Sequence, residues 1–190
     1  MLIEFRFKNY RSFRDEAVLS MEAVGLSSFK KSLIEQNKMK LLPGVAIYGK
    51  NGGGKSNVIR AFWLGVQFIR NAQRIQHEKA SMPVVPFLLD DYSANNPTEF
   101  AFDYIADGIK YWYSFEATKE KIIRESLYHA PKGQKALVFS REQQKFNFTE
   151  DKARRKLISE TVAENQLFFS VACTMNDAVC TKAMKWFRED

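Results

Sequence analysis

Gly49-Lys50-Asn51-Gly52-Gly53-Gly54-Lys55-Ser56 fits the pattern G-x-x-x-x-G-K-[ST], and the apolar run Val45-Ala46-Ile47-Tyr48 stands directly before it. A loop that wraps a triphosphate must bring backbone N–H groups against its oxygens, and side chains there would hold the backbone away. Glycines remove that obstacle and tolerate positive φ. The chain should then enter a helix at Lys55-Ser56, whose first-turn amides and dipole favour an anion. Lys55 is expected to reach the β- and γ-phosphates as a mobile point charge, and the Ser56 hydroxyl to take one coordination site on Mg²⁺. Downstream, Val58-Ile59, Phe62, Val66 and Ile69 recur at helical spacing, while Ala61, Trp63, Leu64 and Phe68 widen the stripe. A helix from about Lys55 to His77, apolar most of the way round, is expected to lie buried against a sheet. The unit so predicted is a buried strand, a phosphate loop and a helix, with a nucleoside triphosphate and Mg²⁺ as its ligands.

Working outward, Ile3, Phe5 and Phe7 alternate with Glu4, Arg6 and Lys8, which predicts a strand with one buried face. Tyr10-Arg11-Ser12-Phe13 reads as a turn, and Ala17-Val18-Leu19 as a strand pairing back. The stretch from Gly25 to Lys40 is polar and weakly patterned, so a loop with short structure is expected before Pro43-Gly44 breaks the chain. Glu99 to Ala117 carries the clearest hairpin signal. Phe100, Phe102 and Tyr104 alternate, Asp107-Gly108 supplies a positive-φ turn, and Tyr111, Tyr113 and Phe115 alternate on the return. Ile122 to Tyr128, Ala136 to Ser140 and Phe146 to Phe148 predict three further strands, making an antiparallel meander. The aromatic rows suit a half-buried sheet better than a base-stacking platform. From Asp151 onward helix is expected.

Forty-five per cent apolar residues with 16 phenylalanines imply a folded chain, and 190 residues suffice for one good core. No apolar run approaches the length of a membrane span and no signal peptide opens the sequence, so a cytoplasmic, soluble protein is expected. Cys173 and Cys180, read as one helix, should stand roughly 10 Å apart along its axis, too far for a disulfide. With His77 and His129 as the only histidines, a cysteine-based metal site is unfavoured. Net charge is +7, and from Lys119 to Lys156 there are 11 Lys and Arg against 5 Asp and Glu, a local excess of +6. That region keeps a nucleic-acid-binding module open as an alternative reading.

Three segments together resemble a known family: Ile3-Glu4-Phe5-Arg6-Phe7-Lys8-Asn9-Tyr10-Arg11-Ser12-Phe13, Tyr48 through Asn57, and Leu167-Phe168-Phe169-Ser170-Val171-Ala172 followed by Trp186-Phe187. The chain is similar to the N-terminal part of RecF/SMC-like ABC-type ATPases, of the bacterial AAA family ATP-binding group found in phage-defence and abortive-infection systems. The resemblance implies an α/β P-loop NTPase fold, an ABC-ATPase-like N-terminal lobe with a mixed sheet around the P-loop helix and an inserted antiparallel β-meander. It implies one lobe over 1–190: a P-loop core over 1–80, the antiparallel sheet over 84–149 and a helical region over 151–190. It further implies ATP and Mg²⁺ at Gly49, Lys50, Asn51, Gly52, Gly53, Gly54, Lys55, Ser56 and Asn57, with Arg11 and Ser12 beside the nucleotide and Ser56 on the metal. In the family two such lobes sandwich ATP to close a dimer, hydrolysis reopens it, and the cycle is coupled to DNA or an effector protein. A homodimer or partner lobe follows as an expectation.

The sequence also departs from the pattern. No Ser-Gly-Gly signature loop is found, Gly25-Leu26-Ser27-Ser28 lacking the second glycine pair, and no apolar strand ends in Asp-Glu. Phe87-Leu88-Leu89-Asp90-Asp91 imitates such an end, but Pro86 argues against a central strand. Using Asp90-Asp91, a self-contained P-loop kinase or GTPase is the third reading. A glutamine switch should follow the inserted sheet, where Gln166, Thr174 and Asn176 all stand. The simplest expectation is an N-terminal piece of a longer ATPase, or one lobe whose complement is another polypeptide, with little or no hydrolysis alone.

Overall fold

A computed structural model gives the fold, described for residues 1–25, 30–71 and 81–189. Strands β1 (Leu2–Lys8), β2 (Ala17–Ser20), β5 (Thr98–Ala106), β6 (Ile109–Ala117), β7 (Ile122–His129), β8 (Ala136–Glu142) and β9 (Lys145–Phe148) form one seven-stranded sheet in the order β2-β1-β5-β6-β7-β8-β9. The short strands β3 (Ile34–Gln36) and β4 (Met39–Leu41) form a separate hairpin. Helix α1 (Lys55–Asn71) follows the phosphate loop, α2 (Asp91–Ala94) is a single turn, and α3 (Lys152–Ser159), α4 (Phe168–Thr174) and α5 (Ala178–Glu189) close the chain.

Period-two patterning decides which face is buried. Phe5, Phe7, Phe100, Phe102, Tyr104, Tyr111, Tyr113 and Phe115 all point to one face and are almost fully buried. The β5–β6 turn is the expected one, with Asp107 at φ +48° and Gly108 at φ +74°. Helices α1, α4 and α5 cover that aromatic face; Trp186 and Phe187 of α5 meet Phe102 and Tyr104 with ring centroids 5.0–6.3 Å apart. At mid-helix α1 is seated by Gly65, where an added Cβ would come within 2.7 Å of the Phe102 ring. The opposite face is polar and laced with ion pairs, Arg6–Asp103, Lys8–Glu99 and Arg124 with Glu116 and Glu142 among them.

Two buried ion pairs hold the helices, one tying α4 to the sheet and the other α3 to α5. Glu125 of β7 accepts bonds from the Tyr113 hydroxyl and from the N–H groups of Phe168 and Phe169 at the start of α4, with Arg141 of β8 3.6 Å away. Burial pushes the Glu125 carboxyl above its ordinary range, against the pull of Arg141 and those donors. Arg155 of α3 clasps Asp177 at 2.8 and 3.3 Å, and Asp177 also takes the N–H groups of Val179 and Cys180. Burial alone would raise the Asp177 carboxyl; the hydrogen bonds from Arg155 and Cys180 and the guanidinium charge bring it below its ordinary value.

Several expectations need correction. Every pairing among the described residues is antiparallel, and β1 joins the meander directly through β5. The expected mixed sheet around α1 is therefore absent among them, and the antiparallel sheet incorporates the first two strands. Val45–Tyr48 belongs to no sheet; Val45 and Tyr48 are 48% and 89% exposed. A buried strand needs neighbours that supply hydrogen bonds, and the described residues place none beside it. The polar stretch before it contains the β3–β4 hairpin, turned by Asn37 and Lys38, both at positive φ. Helix α1 is described to Asn71, so the remaining predicted turns to His77 lie outside the described residues, as do Leu26 to Ser28. Cys173 and Cys180 stand on separate helices, α4 and α5, so the single-helix spacing does not apply; both are free and buried.

Candidate nucleotide site

The phosphate loop is a wrapped turn between an exposed segment and the mouth of α1. Gly53 N donates to the Lys50 carbonyl at 3.1 Å, and Asn57 N and Val58 N both reach the Gly54 carbonyl to open the helix. Gly52 and Gly54 take φ of +79° and +84°. Gly54 must be glycine for a second reason: an added Cβ would lie 3.0 Å from the Phe13 ring and 3.3 Å from Ser12 Oγ. The Lys55 ammonium folds back over the loop and donates to the carbonyls of Gly49 and Lys50 at 2.7 and 2.8 Å. Ser12 and residues 51–57 line a cleft of about 330 Å³.

Arg11 and Ser12 form the tip of a tight turn. Tyr10 N and Phe13 N exchange bonds with each other's carbonyls at 2.8 and 2.9 Å, leaving Arg11, at φ +52°, and Ser12 between them. Ser12 Oγ accepts from Asn57 Nδ2 at 2.9 Å, so the turn touches the phosphate loop at Asn57 and Gly54. The Arg11 guanidinium stays exposed, its Nε on the Tyr10 hydroxyl. Ser12 and Asn57, forty-five positions apart, thus stand together, while Arg11 does not line the cleft.

The other candidates go elsewhere. Asp90 caps α2, its Oδ1 accepting from Ser93 N at 2.7 Å, and neither Asp90 nor Asp91 lines the phosphate-loop cleft. Gln166 takes the Ala163 N–H, Thr174 donates to the Ser170 carbonyl, and Asn176, at φ +57°, gives its carbonyl to Arg154; none of the three lines that cleft. Of the basic excess, Arg141 and Arg155 are buried and Arg124 is ion-paired, so the sheet presents less charge than its sequence suggests. No cluster of three or more metal-ligating side chains occurs among the described residues. Nor is any helix among them long and apolar enough to cross a membrane.

Sequence reasoning missed Asn9. It is 4% exposed at φ +53°, and its amide bonds four backbone groups around the base of the Arg11-Ser12 turn. Its signal was present: a polar residue directly after an alternating strand and before a turn is a candidate for left-handed backbone.

A family model described as "AAA domain, putative AbiEii toxin, Type IV TA system" matches residues 45–185, three quarters of the chain and the whole phosphate loop. The chain belongs to this AAA domain family. No curated protein matches it. Membership supports a P-loop ATPase-type domain with nucleotide binding as its general activity, and the α/β architecture, its described strand pairings all antiparallel, is compatible with that class. In this AAA domain the match begins at Val45, so the Arg11-Ser12 turn precedes the matched residues.

Proposed function

We propose that this AAA domain binds ATP with Mg²⁺ through Gly49–Ser56, Asn57, Arg11 and Ser12, as the N-terminal lobe of a RecF/SMC-like ABC-type ATPase. The observation that carries the reading is the Lys55 ammonium held by two loop carbonyls beside glycines that leave the backbone bare. Charged phosphate oxygens are stronger acceptors than neutral carbonyls, so Lys55 exchanges the carbonyls of Gly49 and Lys50 for the β- and γ-phosphates. The loop N–H groups and the first turn of α1 hold the remaining phosphate oxygens.

The residues present fit the group. Gly52 and Gly54, at positive φ, leave the loop backbone bare, and among the described residues no carboxylate lines the cleft to repel an anion. Ser56 supplies one hydroxyl ligand, which suits a cation that keeps most of its waters and leans on substrate phosphates. Bound Mg²⁺ supplies charge neutralisation at the phosphoryl oxygens. Hydrolysis in this reading draws its carboxylates and signature loop from outside the described residues, through a homodimer or a partner lobe closed by ATP. The apolar segment Val45–Tyr48, without a strand partner among the described residues, supports a site completed by further strands. Coupling of the cycle to DNA or an effector, in bacterial defence such as phage defence and abortive infection or in DNA repair, is the biological setting we propose. The toxin–antitoxin wording of the family description supports the defence setting.

Titration with labelled ATP tests the reading. Lys55→Ala is expected to weaken binding at least tenfold, in line with loss of a charged hydrogen-bond donor worth about 1.5–3 kcal/mol. Binding equal to that of the parent protein refutes it.

A further inference from the structure

The Arg11-Ser12 turn touches the phosphate loop through Ser12 and is closed by the Tyr10 and Phe13 backbone bonds, with Arg11 N on the Val85 carbonyl. Most of its side-chain anchoring is at its base. Asn9 Nδ2 donates towards three carbonyls, those of Ser93, Asn96 and Pro97, at 2.8, 3.0 and 3.1 Å. Asn9 Oδ1 accepts from Phe87 N at 2.9 Å, its own N–H reaches the Arg14 carbonyl at 3.2 Å, and its carbonyl accepts from the buried Thr98 hydroxyl at 2.8 Å. One buried side chain therefore ties the turn to residues 87–97, while Arg11 N joins the Val85 carbonyl one step further on.

Residue type and conformation agree. A position at φ +53° suits asparagine, which tolerates left-handed backbone far better than most residues, and only a side-chain amide offers donors and an acceptor together. The tip lies two to three residues beyond this anchor, roughly 7–10 Å of extended chain at most. A small rotation at Asn9 is thereby passed to Ser12 Oγ and Phe13, whose neighbours are Asn57 and Gly54 of the loop, and to the exposed Arg11 guanidinium beside them in the turn.

We infer that Asn9 is the positioning residue of the nucleotide site: it sets the Arg11-Ser12 turn on the phosphate loop and acts on nucleotide affinity only through that turn. This rests on the nucleotide-binding reading above. Its signature is non-additivity, because residues that act through one another do not contribute independently.

The test is a cycle on the full chain, with dissociation constants for a fluorescent ATP analogue and melting temperatures measured side by side. Asn9→Ala is expected to weaken binding about tenfold in the parent background and to have no further effect in an Arg11→Ala/Ser12→Ala background. Unchanged affinity in the first, or the same loss in both, overturns the inference, since a merely structural residue weakens both backgrounds equally. Should Asn9→Ala not fold, Thr98→Val, which removes only the hydroxyl bonded to the Asn9 carbonyl, is compared across the same two backgrounds, and the same outcomes support or overturn the inference. Lys55→Ala runs alongside. If it binds as well as the parent, the nucleotide reading itself has failed; if it alone loses binding, only the role of Asn9 has.

Discussion

Replacing Gly65 by alanine sets two effects of opposite sign against each other. In an open helix interior the change stabilises by about 0.5–1 kcal/mol, because glycine loses more conformational freedom on folding. At this site the new Cβ would lie 2.7 and 3.2 Å from two atoms of the Phe102 ring and 3.4 Å from Phe100. Phe102 cannot swing away, for it is fully buried with Phe5, Phe62, Trp186 and Phe187 around it at centroid distances of 4.8–6.3 Å. Overpacking of this kind costs about 1–3 kcal/mol, which outweighs the helical gain. The net expectation is a loss of about 1–2 kcal/mol, or a fall of roughly 2–8 °C in Tm for a domain of this size. Urea unfolding followed by circular dichroism, supported by thermal melts, reads it. The partner variant Phe102→Leu should relieve the clash, so the double variant should be more stable than the two single losses summed. A Gly65→Ala protein that is more stable than its parent, with no coupling to Phe102, would refute the close seating of α1 on the sheet.

Removing Asp177 as Asp177→Ala strands the buried Arg155 guanidinium and uncaps α5. Denaturant titration should show a loss of about 3–5 kcal/mol. Because the Asp177 carboxyl is held below its ordinary value, its contribution is complete above the unfolded value near 3.9 and fades as pH falls through the folded one. The stability gap between parent and Asp177→Ala should therefore be constant near neutrality and narrow below about pH 3.9; a gap that widens on acidification contradicts the assignment.

The parts legible in the sequence were those where one local rule decides. Alternating aromatics with Asp107-Gly108 between them dictate a hairpin whatever lies around it, and the spelling of the phosphate loop dictates a bare, wrapped backbone. Less legible were features set by distant partners. Nothing near Phe5 says that β1 will pair with β5, since strand order is a long-range choice. The break between α4 and α5 was marked by Asn176-Asp177, a left-handed stop followed by a cap, but the apolar stripe running through it reads as one helix. Glu125 stands in phase with the inward-facing Leu127, so its alternation marked it as buried; what satisfies it, Arg141 and the start of α4, was out of reach. In the site, the glycines and Lys55 were legible, and Asn9 was not, because its role consists of bonds to six separate positions.

The seating of α1 at Gly65 leaves no compressible side chain between the loop-bearing helix and the sheet, so a tilt of one would be passed to the other. Strands lie about 4.8 Å apart, so β9 is roughly 19 Å from β5, where the helix presses. A pivot of only about 5° at that contact would sweep the far strand through nearly 2 Å, an amplification supplied by the width of the sheet alone.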